Sequence, residues 1–426
     1  MEVVTVTRLG ARGEGVAQAQ GGRVFVPYAL PGESVRAQVE GERARLIEIM
    51  KPSADRIAPF CPYYGSCGGC AVQALAQEPY RRWKRELVVE ALRRAGIEAQ
   101  VEPLVEPLMD AHGEGRRRAV FHARFGEEGR RGLRVGFMQA RAHTLVEIES
   151  CPILAPGMAG ALAAVRAIAA ALAPARKPLD MLVTSTLTGL DVDVRGCGSL
   201  RSALARKLVE TAERLDLARL SNHGDILAQA RAPQLRIGAS LVEPPSGAFL
   251  QATQAGELAL AKLVLEGVAG AGEVADLFAG IGTFALRIAA KAGVHAVDLE
   301  AGPLEALARA GGTTPGMAPI TVEARDLFRR PLCGGELGRF EAVVFDPPRA
   351  GAHGQAAALA ASTIPRLVAV SCSPTSFARD AALLMAGGYR LERLVPIDQF
   401  RHSAHVELVA WFSKKRIARR RRPLLG

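Results

Sequence analysis

The chain has 426 residues, 49% of them hydrophobic and 23% charged, which is enough for two or three globular domains with sizeable cores. A net charge of +11 and an isoelectric point near 9.7 favour an anionic partner such as nucleic acid. Seven cysteines argue against a disulfide framework and predict the reducing cytoplasm. We expect no membrane association, because no secretory signal is visible and the apolar run 159–173 is too short to span a bilayer.

Residues 1–57 contain short β-type segments separated by glycine-containing turns, which predicts a small β-barrel. Barrels of the OB type bind oligonucleotides. We therefore expect phosphate contacts from four arginines of this region, Arg8, Arg12, Arg23 and Arg36. An accessory barrel without RNA contacts is the alternative.

A cysteine-rich loop follows the barrel, with Cys61, Cys67 and Cys70 separated by glycines. The C-x5-C-x2-C spacing differs from the paired C-x2-C of structural zinc sites. Cys151, in a Cys-Pro pair, would supply a fourth thiolate and complete an all-cysteine iron–sulfur site. A zinc site and free thiols remain the alternatives.

The region 58–240 reads as a mixed α+β domain. A charged helix is expected from about 78 to 95 and a second one over 200–215. Between them, residues 116–137 alternate basic and apolar positions, which predicts a hairpin with an arginine-rich surface. Such a strand is a candidate track for phosphates.

Strands and helices alternate from 241 to 413, as a doubly wound sheet requires. A glycine-rich turn at 276–283 follows one strand and lets a ligand approach the backbone closely. The next strand ends at Asp298, well placed for ribose hydroxyls, and Asp326 follows the third, where such folds often hold adenine. Because the GxGxxG spacing is missing, we expect a nucleoside-type cofactor and no dinucleotide.

Two later strands of this region also end in chemically useful residues. Asp346 follows the apolar run 343–345, and Cys372 follows 367–370 and Ser371. Both should lie at the ligand-binding edge of the sheet. A cysteine there is either a small buried hydrophobe or a nucleophile. Residues 414–426 form a basic tail with expected nonspecific affinity for RNA.

These motifs, in this order, resemble the S-adenosylmethionine-dependent RNA (uracil-5-)-methyltransferase family over nearly the whole chain. They are the glycine turn, Asp-Pro-Pro-Arg-Ala-Gly at 346–351, Ser-Cys-Ser-Pro at 371–374, Phe-Ala-Arg-Asp at 377–380 and His-Val-Glu at 405–407. The likeness is greatest to the iron–sulfur branch that carries a TRAM barrel and modifies 23S ribosomal RNA. It implies a Rossmann-like α/β methyltransferase domain over 241–413, a TRAM barrel over 1–57, a central iron–sulfur and RNA-binding domain over 58–240, and a monomer.

The resemblance also implies individual roles. Cys372 would be the nucleophile and Glu407 the base. A 4Fe-4S cluster of structural role would be held by Cys61, Cys67, Cys70 and Cys151. S-adenosylmethionine would be contacted by Gln251, Phe278, Thr283, Asp298, Asp326 and Asp346. The chain departs from the family pattern at Thr253, Thr283 and Ser373, where asparagine is usual, and this bears on fine cofactor contacts.

The implied chemistry needs a cysteine because carbon 5 of uracil is a weak nucleophile. A thiolate that adds to carbon 6 turns the ring into an enolate, and carbon 5 can then displace the methyl group of the donor. A base removes the remaining proton at carbon 5, and the thiolate leaves. The target base must first be unstacked or flipped.

Other readings stay open at this point. An exocyclic-amine methyltransferase would use a related Pro-Pro-aromatic turn, but Arg349 replaces the aromatic residue and such chemistry needs no cysteine. A radical methylthiotransferase needs C-x3-C-x2-C, which differs from the spacing here. An RNA-binding protein with a degenerate catalytic domain, and transfer RNA as the substrate, are further alternatives.

Overall fold

The computed structural model describes residues 1–97, 102–126, 132–140, 142 and 144–415. These ranges form a closed five-stranded barrel, a seven-stranded sheet, an eight-stranded sheet and a two-stranded hairpin. Within them, no helix combines the length and the apolar character needed to cross a bilayer. The basic run 416–426, as well as Arg130 and Arg131 of the predicted hairpin, lies outside the described residues.

The barrel comes first in the chain. Its strands β1 to β5 are Glu2–Leu9, Gly15–Ala19, Gly22–Val26, Ser34–Glu40 and Arg43–Lys51. They are ordered β1-β2-β3-β5-β4, and β4 pairs back with β1 to close the sheet. Alternate side chains such as Val24, Val26 and Val35 fill the interior, because successive residues of a strand face opposite sides. The predicted small barrel is confirmed.

The central region contains helix α1 (Gln77–Arg94), the two-residue strand β6 (Met109–Asp110) and a seven-stranded sheet. Strands β7 to β13 are Arg118–Phe125, Leu133–Met138, Leu145–Glu147, Leu179–Thr186, Gly189–Arg195, Arg219–Asn222 and Asp225–Gln229. The order is β13-β12-β11-β10-β7-β8-β9. Helices α2 (Ala161–Ala171) and α3 (Ser202–Arg214) pack on this sheet and share one apolar core with it.

Two arginines of the predicted phosphate track make contacts within the protein. Arg117 bonds to the Glu257 carboxylate and donates from Nε to the carbonyl of Gln251 at 3.2 Å, so it faces the neighbouring domain. Arg124 bonds to Asp180 at 3.3 Å. Acidic partners that are distant in sequence thus engage these two cations, and the phosphate track over 116–137 stays a prediction.

The last part of the chain forms the hairpin β14–β15 and most of the large sheet. Strands β14 to β22 are Leu235–Ile237, Ser240–Val242, Glu273–Leu277, Gly293–Asp298, Ile320–Ala324, Ala342–Phe345, Arg366–Ser371, Arg390–Asp398 and Glu407–Ser413. Helices α4 to α8 are Gln254–Gly267, Ala285–Ile288, Ala301–Thr313, His353–Ala360 and Pro374–Ala386.

The large sheet has the order β18-β17-β16-β19-β20-β22-β21-β6. The strands from β18 to β20 are parallel, whereas β22 runs antiparallel to β20 and to β21. The order reverses next to β16, and ligands bind at such a reversal, outside the carboxyl ends of the strands. Strand β6 of the central region extends the sheet beyond β21, and α1 packs on α8, so the two regions share a core.

Candidate active site

The glycine turn after β16 lies beside the end of β17. Phe278, Gly280 and Gly282 all have positive φ, at 63°, 53° and 91°. Gly280 donates its backbone N–H to Asp298 Oδ2 at 2.9 Å, and no atom would meet a Cβ there within 4 Å. A side chain at Gly280 would therefore project into open space at the sheet edge. This arrangement leaves room for a ligand against the backbone.

An exposed apolar surface adjoins the turn. Leu299 is 62% exposed and Phe328 is 51% exposed, and the Phe328 ring lies 5.7 Å from that of Phe278. Asp326 holds the Phe328 backbone N–H at 2.9 Å. A flat heterocycle fits an apolar surface with polar groups at its border. The sequence reading included Phe278 and Asp326 but missed Leu299 and Phe328, because an exposed apolar residue in a loop gives no signal of its own.

Asp276 is a third residue whose role was not predicted from the sequence. Its side chain is fully buried, and neither carboxylate oxygen has a hydrogen-bond partner. The backbone N–H of Ala285 approaches it without forming a hydrogen bond. Burial, with smaller contributions from Asp346 and Asp298, raises the pKa of Asp276 to about 8. An unpartnered buried carboxylate is costly, so the residue is suited to hold a proton or a bound cation.

Two glutamines connect the start of α4 to the sheet edge. Gln251 donates to Asp346 Oδ2 at 3.3 Å and accepts from Gln399 Nε2 at 2.7 Å. Gln399 in turn accepts from the Ala252 backbone at 2.9 Å. Thr253, where the family usually has asparagine, caps α4 by accepting from Gly256 at 2.9 Å. The chain thus has its own means of fixing the segment that presents Gln251.

The strand register brings Cys372 and Glu407 together. Ser371, the last residue of β20, pairs with Leu408 of β22. Cys372 and Glu407 are the next residues on the two strands and so lie opposite one another at the carboxyl edge. Glu407 is 4% exposed, and the Cys372 thiol is partly accessible. A potential nucleophile and a potential base therefore face the same space.

Burial strongly affects the protonation of this pair. It raises the pKa of Glu407 to about 8, with a further contribution from Asp346 and an opposing one from Gln399. Burial also raises the pKa of Cys372 to about 11, and the charges of Glu407 and Asp346 add to that effect. The Asp346 carboxyl has its pKa raised to about 7 by burial. The ligand-free site therefore favours a neutral thiol.

Arg349 is the cation on the open side of the site and favours the Cys372 thiolate. Its Nη2 atom lies 2.7 Å from His405 Nδ1, and burial lowers the pKa of His405 to about 4, so that imidazole is neutral at pH 7. The Phe-Ala-Arg-Asp motif at 377–380 fixes the segment that follows Arg349. Arg379 donates to Ala350 O at 2.9 Å, and Asp380 accepts from the Ala352 backbone at 2.7 Å.

A groove of about 1100 Å³ runs from the barrel past the cysteine loop to the segment 403–405. Its walls include barrel arginines, the cysteine loop at 68–71 and the segment 403–405, which ends two residues before Glu407. The arginines in the groove are Arg12, Arg43 and Arg45. Of the four predicted phosphate contacts, Arg12 lines the groove, whereas Arg8, Arg23 and Arg36 do not. Arg23 pairs with Glu42, and Arg36 pairs with Glu48.

The four candidate cluster cysteines lie in neighbouring segments. Gly68 donates to Met138 O at 2.9 Å, and the Tyr63 hydroxyl accepts from the Glu149 backbone at 2.8 Å, which joins the loop to the segment that precedes Cys151. Within the described residues, however, no three His, Cys, Asp or Glu side chains are arranged to hold a metal ion. The donor chemistry suits an iron–sulfur cluster, whose cysteines lie farther apart than the ligands of a single ion, but no preformed ligand cage is present.

The strand order and the open edge between β16 and β19 define the fold of S-adenosylmethionine-dependent methyltransferases. The crystal structure of Pyrococcus abyssi tRNA (uracil-54, C5)-methyltransferase in complex with S-adenosyl-L-homocysteine shares this fold, with a TM-score of 0.73 at 22% identity, over 96% of this chain and 99% of that chain. A family model described as tRNA (Uracil-5-)-methyltransferase matches residues 321–415.

Two relatives extend the likeness to almost the entire chain. An uncharacterized RNA methyltransferase of Brucella suis is 46% identical over 413 residues, which cover 97% of this chain and 98% of that protein. The 23S rRNA (uracil(1939)-C(5))-methyltransferase RlmD of Halomonas elongata is 34% identical and covers 98% of this chain and 90% of that protein. The chain belongs to the S-adenosylmethionine-dependent RNA (uracil-5-)-methyltransferase family, which confirms the family and the fold class predicted from the motifs.

Proposed function

We propose that the protein methylates carbon 5 of a uridine in 23S ribosomal RNA, with Cys372 as the nucleophile and Glu407 as the base. The observation that carries this proposal is the β20–β22 register, which places the two side chains opposite one another at the ligand edge. The exocyclic-amine alternative would leave this pairing without a purpose.

The residues divide the reaction between them. Cys372 loses its proton to solvent, favoured by the Arg349 cation, and its sulfur forms a bond to carbon 6 while the ring electrons move onto the carbonyl oxygen as an enolate. Carbon 5 then takes the methyl group, and the donor leaves as S-adenosylhomocysteine. Ionised Glu407 accepts the carbon 5 proton, the sulfur–carbon bond breaks, and the double bond is restored.

The methyl donor is assigned to the turn after β16. Asp276 would pair with its ammonium group, Asp298 would accept from its ribose, and the surface of Phe278, Leu299 and Phe328 beside Asp326 would cover its adenine. The fully buried, unpartnered Asp276 carboxylate supports this orientation. Gln251 and Asp346 would lie between donor and uracil, and a donor contact of Thr283 stays a prediction.

Ribosomal RNA is favoured over transfer RNA because RlmD, a 23S rRNA enzyme, is 34% identical to this chain, whereas the tRNA enzyme of Pyrococcus abyssi is 22% identical. The groove past Arg43 and Arg45 offers a path for an unpaired strand, and its cations would bind phosphates. All seven cysteines are unpaired, consistent with action in the cytoplasm. We assume that the protein acts as a monomer.

We also propose that Cys61, Cys67, Cys70 and Cys151 hold a 4Fe-4S cluster that fixes the loop at the groove wall. The contacts of Gly68 and Tyr63 with the segments before Cys151 support it. Anaerobically purified protein should contain four irons per chain and show broad visible absorption, and Cys151→Ser should lose both. A stoichiometric zinc content without such absorption would refute the cluster.

The catalytic proposal is tested with RNA that contains 5-fluorouridine, whose fluorine cannot be removed as a proton. Wild-type protein with methyl donor should accumulate a covalent protein–RNA adduct through Cys372, and Cys372→Ala should form no adduct and transfer no methyl group. Retention of methylation by folded Cys372→Ala would support an amine methyltransferase instead. Mapping 5-methyluridine in 23S ribosomal and transfer RNA from cells with and without the protein decides the substrate class.

A further inference from the structure

We infer that Lys84 of α1 is a positioning residue for the catalytic loop, defined as residues 398–405, and through this loop for Glu407. The inference rests on the role of Glu407 proposed above. The Lys84 side chain is fully buried. Its Nζ donates to Asp398 Oδ1 at 2.5 Å, to Phe400 O at 3.1 Å and to His405 O at 2.8 Å. A lysine ammonium has three donors, and here they hold the beginning, the middle and the end of one loop.

Tyr80 acts on the same loop from the preceding turn of α1. Its hydroxyl donates to Asp398 Oδ2 at 2.6 Å and accepts from the His402 backbone at 2.9 Å. Residues four apart lie on one helical face, so Tyr80 and Lys84 together satisfy both oxygens of Asp398. Ala71, next to Cys70 in the cysteine loop, donates to His402 O at 2.7 Å. The catalytic loop is therefore held by the N-terminal half of the chain.

Gln399 connects the catalytic loop to the proposed base, Glu407. That side chain is fully buried, is fixed by Ala252 and Gln251, and favours the ionised form of Glu407. Gly256 permits the arrangement, since a Cβ there would lie 2.6 Å from Gln399 Oε1. A shift of the loop would displace Gln399 and change the ionisation of Glu407.

Lys84 also acts on the base by charge. Four titratable or charged groups face Glu407. They are Asp346 and Arg349, which follow β19 in the chain, Cys372, which follows β20, and Lys84 on α1. Asp346 opposes ionisation of Glu407, whereas Arg349 and Lys84 favour it. Lys84 is the buried cation of this set, so solvent and salt screen it least. Its removal should make the ionised base harder to form.

The test compares Lys84→Met with Arg82→Met, which removes an exposed cation from the same helix. On ordinary RNA with methyl donor, Lys84→Met should accumulate methylated covalent adduct, as Glu407→Gln should, because proton removal from carbon 5 becomes slow. We expect kcat to fall at least tenfold, KM for RNA to change less than twofold, and the rising limb of kcat against pH to move to higher pH. Adduct formation on 5-fluorouridine RNA should keep its wild-type rate, and Arg82→Met should match wild type throughout.

Removing one member of a buried ion pair can unfold a protein. The double variant Lys84→Met/Asp398→Asn removes both charges of the pair. It replaces the single variant in the same measurements if Lys84→Met does not fold. A folded variant with wild-type kcat and pH profile would overturn the inference. Equal losses of donor binding, of adduct formation on 5-fluorouridine RNA and of turnover would also overturn it, because they would indicate that Lys84 has a structural role only. If Glu407→Gln fails to accumulate adduct, the fault lies with the role proposed for Glu407.

Discussion

The unpartnered Asp276 carboxyl makes a quantitative prediction about binding of the methyl donor. With a pKa raised to about 8, Asp276 is protonated in most ligand-free molecules at pH 7. It must be ionised to pair with the ammonium group of S-adenosylmethionine. Binding at pH 7 should therefore release about 0.9 proton per molecule, since an acid is about nine-tenths protonated when the pH lies one unit below its pKa.

The same arithmetic sets the pH dependence of the affinity. The ionised fraction of Asp276 rises about ninefold from pH 6 to pH 7 and about fivefold from pH 7 to pH 8, and donor affinity should rise in parallel. Asp276→Asn should abolish this dependence. It should also weaken binding about 10- to 100-fold at pH 8, because a hydrogen bond to a charged group contributes about 1.5–3 kcal/mol.

Calorimetry in buffers of different ionisation enthalpy measures both quantities. Glu305→Gln is the control, since it removes an exposed carboxyl of α6, and it should keep the proton release. A donor affinity that is constant between pH 6 and pH 8 in the wild type would refute the reasoning. So would unchanged proton release in Asp276→Asn.

Three further outcomes are expected. The ligand-free protein should lose stability as the pH rises from about 4 to about 8, by up to about 1.4 kcal/mol per pH unit for each of the three carboxyls of raised pKa at the sheet edge, because the unfolded chain binds fewer protons there. Thermal melts at fixed ionic strength measure this, and a flat profile contradicts it. Phe328→Ala should weaken donor binding about two- to tenfold by calorimetry, from loss of an aromatic contact. Arg43→Ala/Arg45→Ala should reduce the salt dependence of RNA binding by a slope of about 1.4, whereas ion-paired Arg36→Ala should not, and equal slopes would exclude the groove as the RNA path.

The residues at the sheet edge could be predicted because parallel strands bring their ends together. Asp298, Asp346 and Cys372 each directly follow or end an apolar run, and their common edge follows from the fold class alone. Their common position at this edge does not depend on how far apart they are in the chain, and it could therefore be predicted from the amino-acid sequence.

Contacts between regions could not be predicted in the same way. Lys84 reads as one of several cations on a charged helix, and only its burial against Asp398, 314 residues later, distinguishes it. The ion pair of Arg117 was not predicted for the same reason, since its partner Glu257 lies 140 residues away in the chain. Composition and periodicity report which side chains are charged, but not which partner will neutralise them.

The pairing of Lys84 with Asp398 has a consequence for synthesis of the chain. At about 5–20 residues per second, the ribosome needs roughly 15–60 s to add the 314 residues that separate them. During that interval α1 cannot bury its ammonium against its final partner, although the barrel before it is already complete. The Lys84 ammonium therefore stays without its buried partner until β21, which ends at Asp398, has been synthesised.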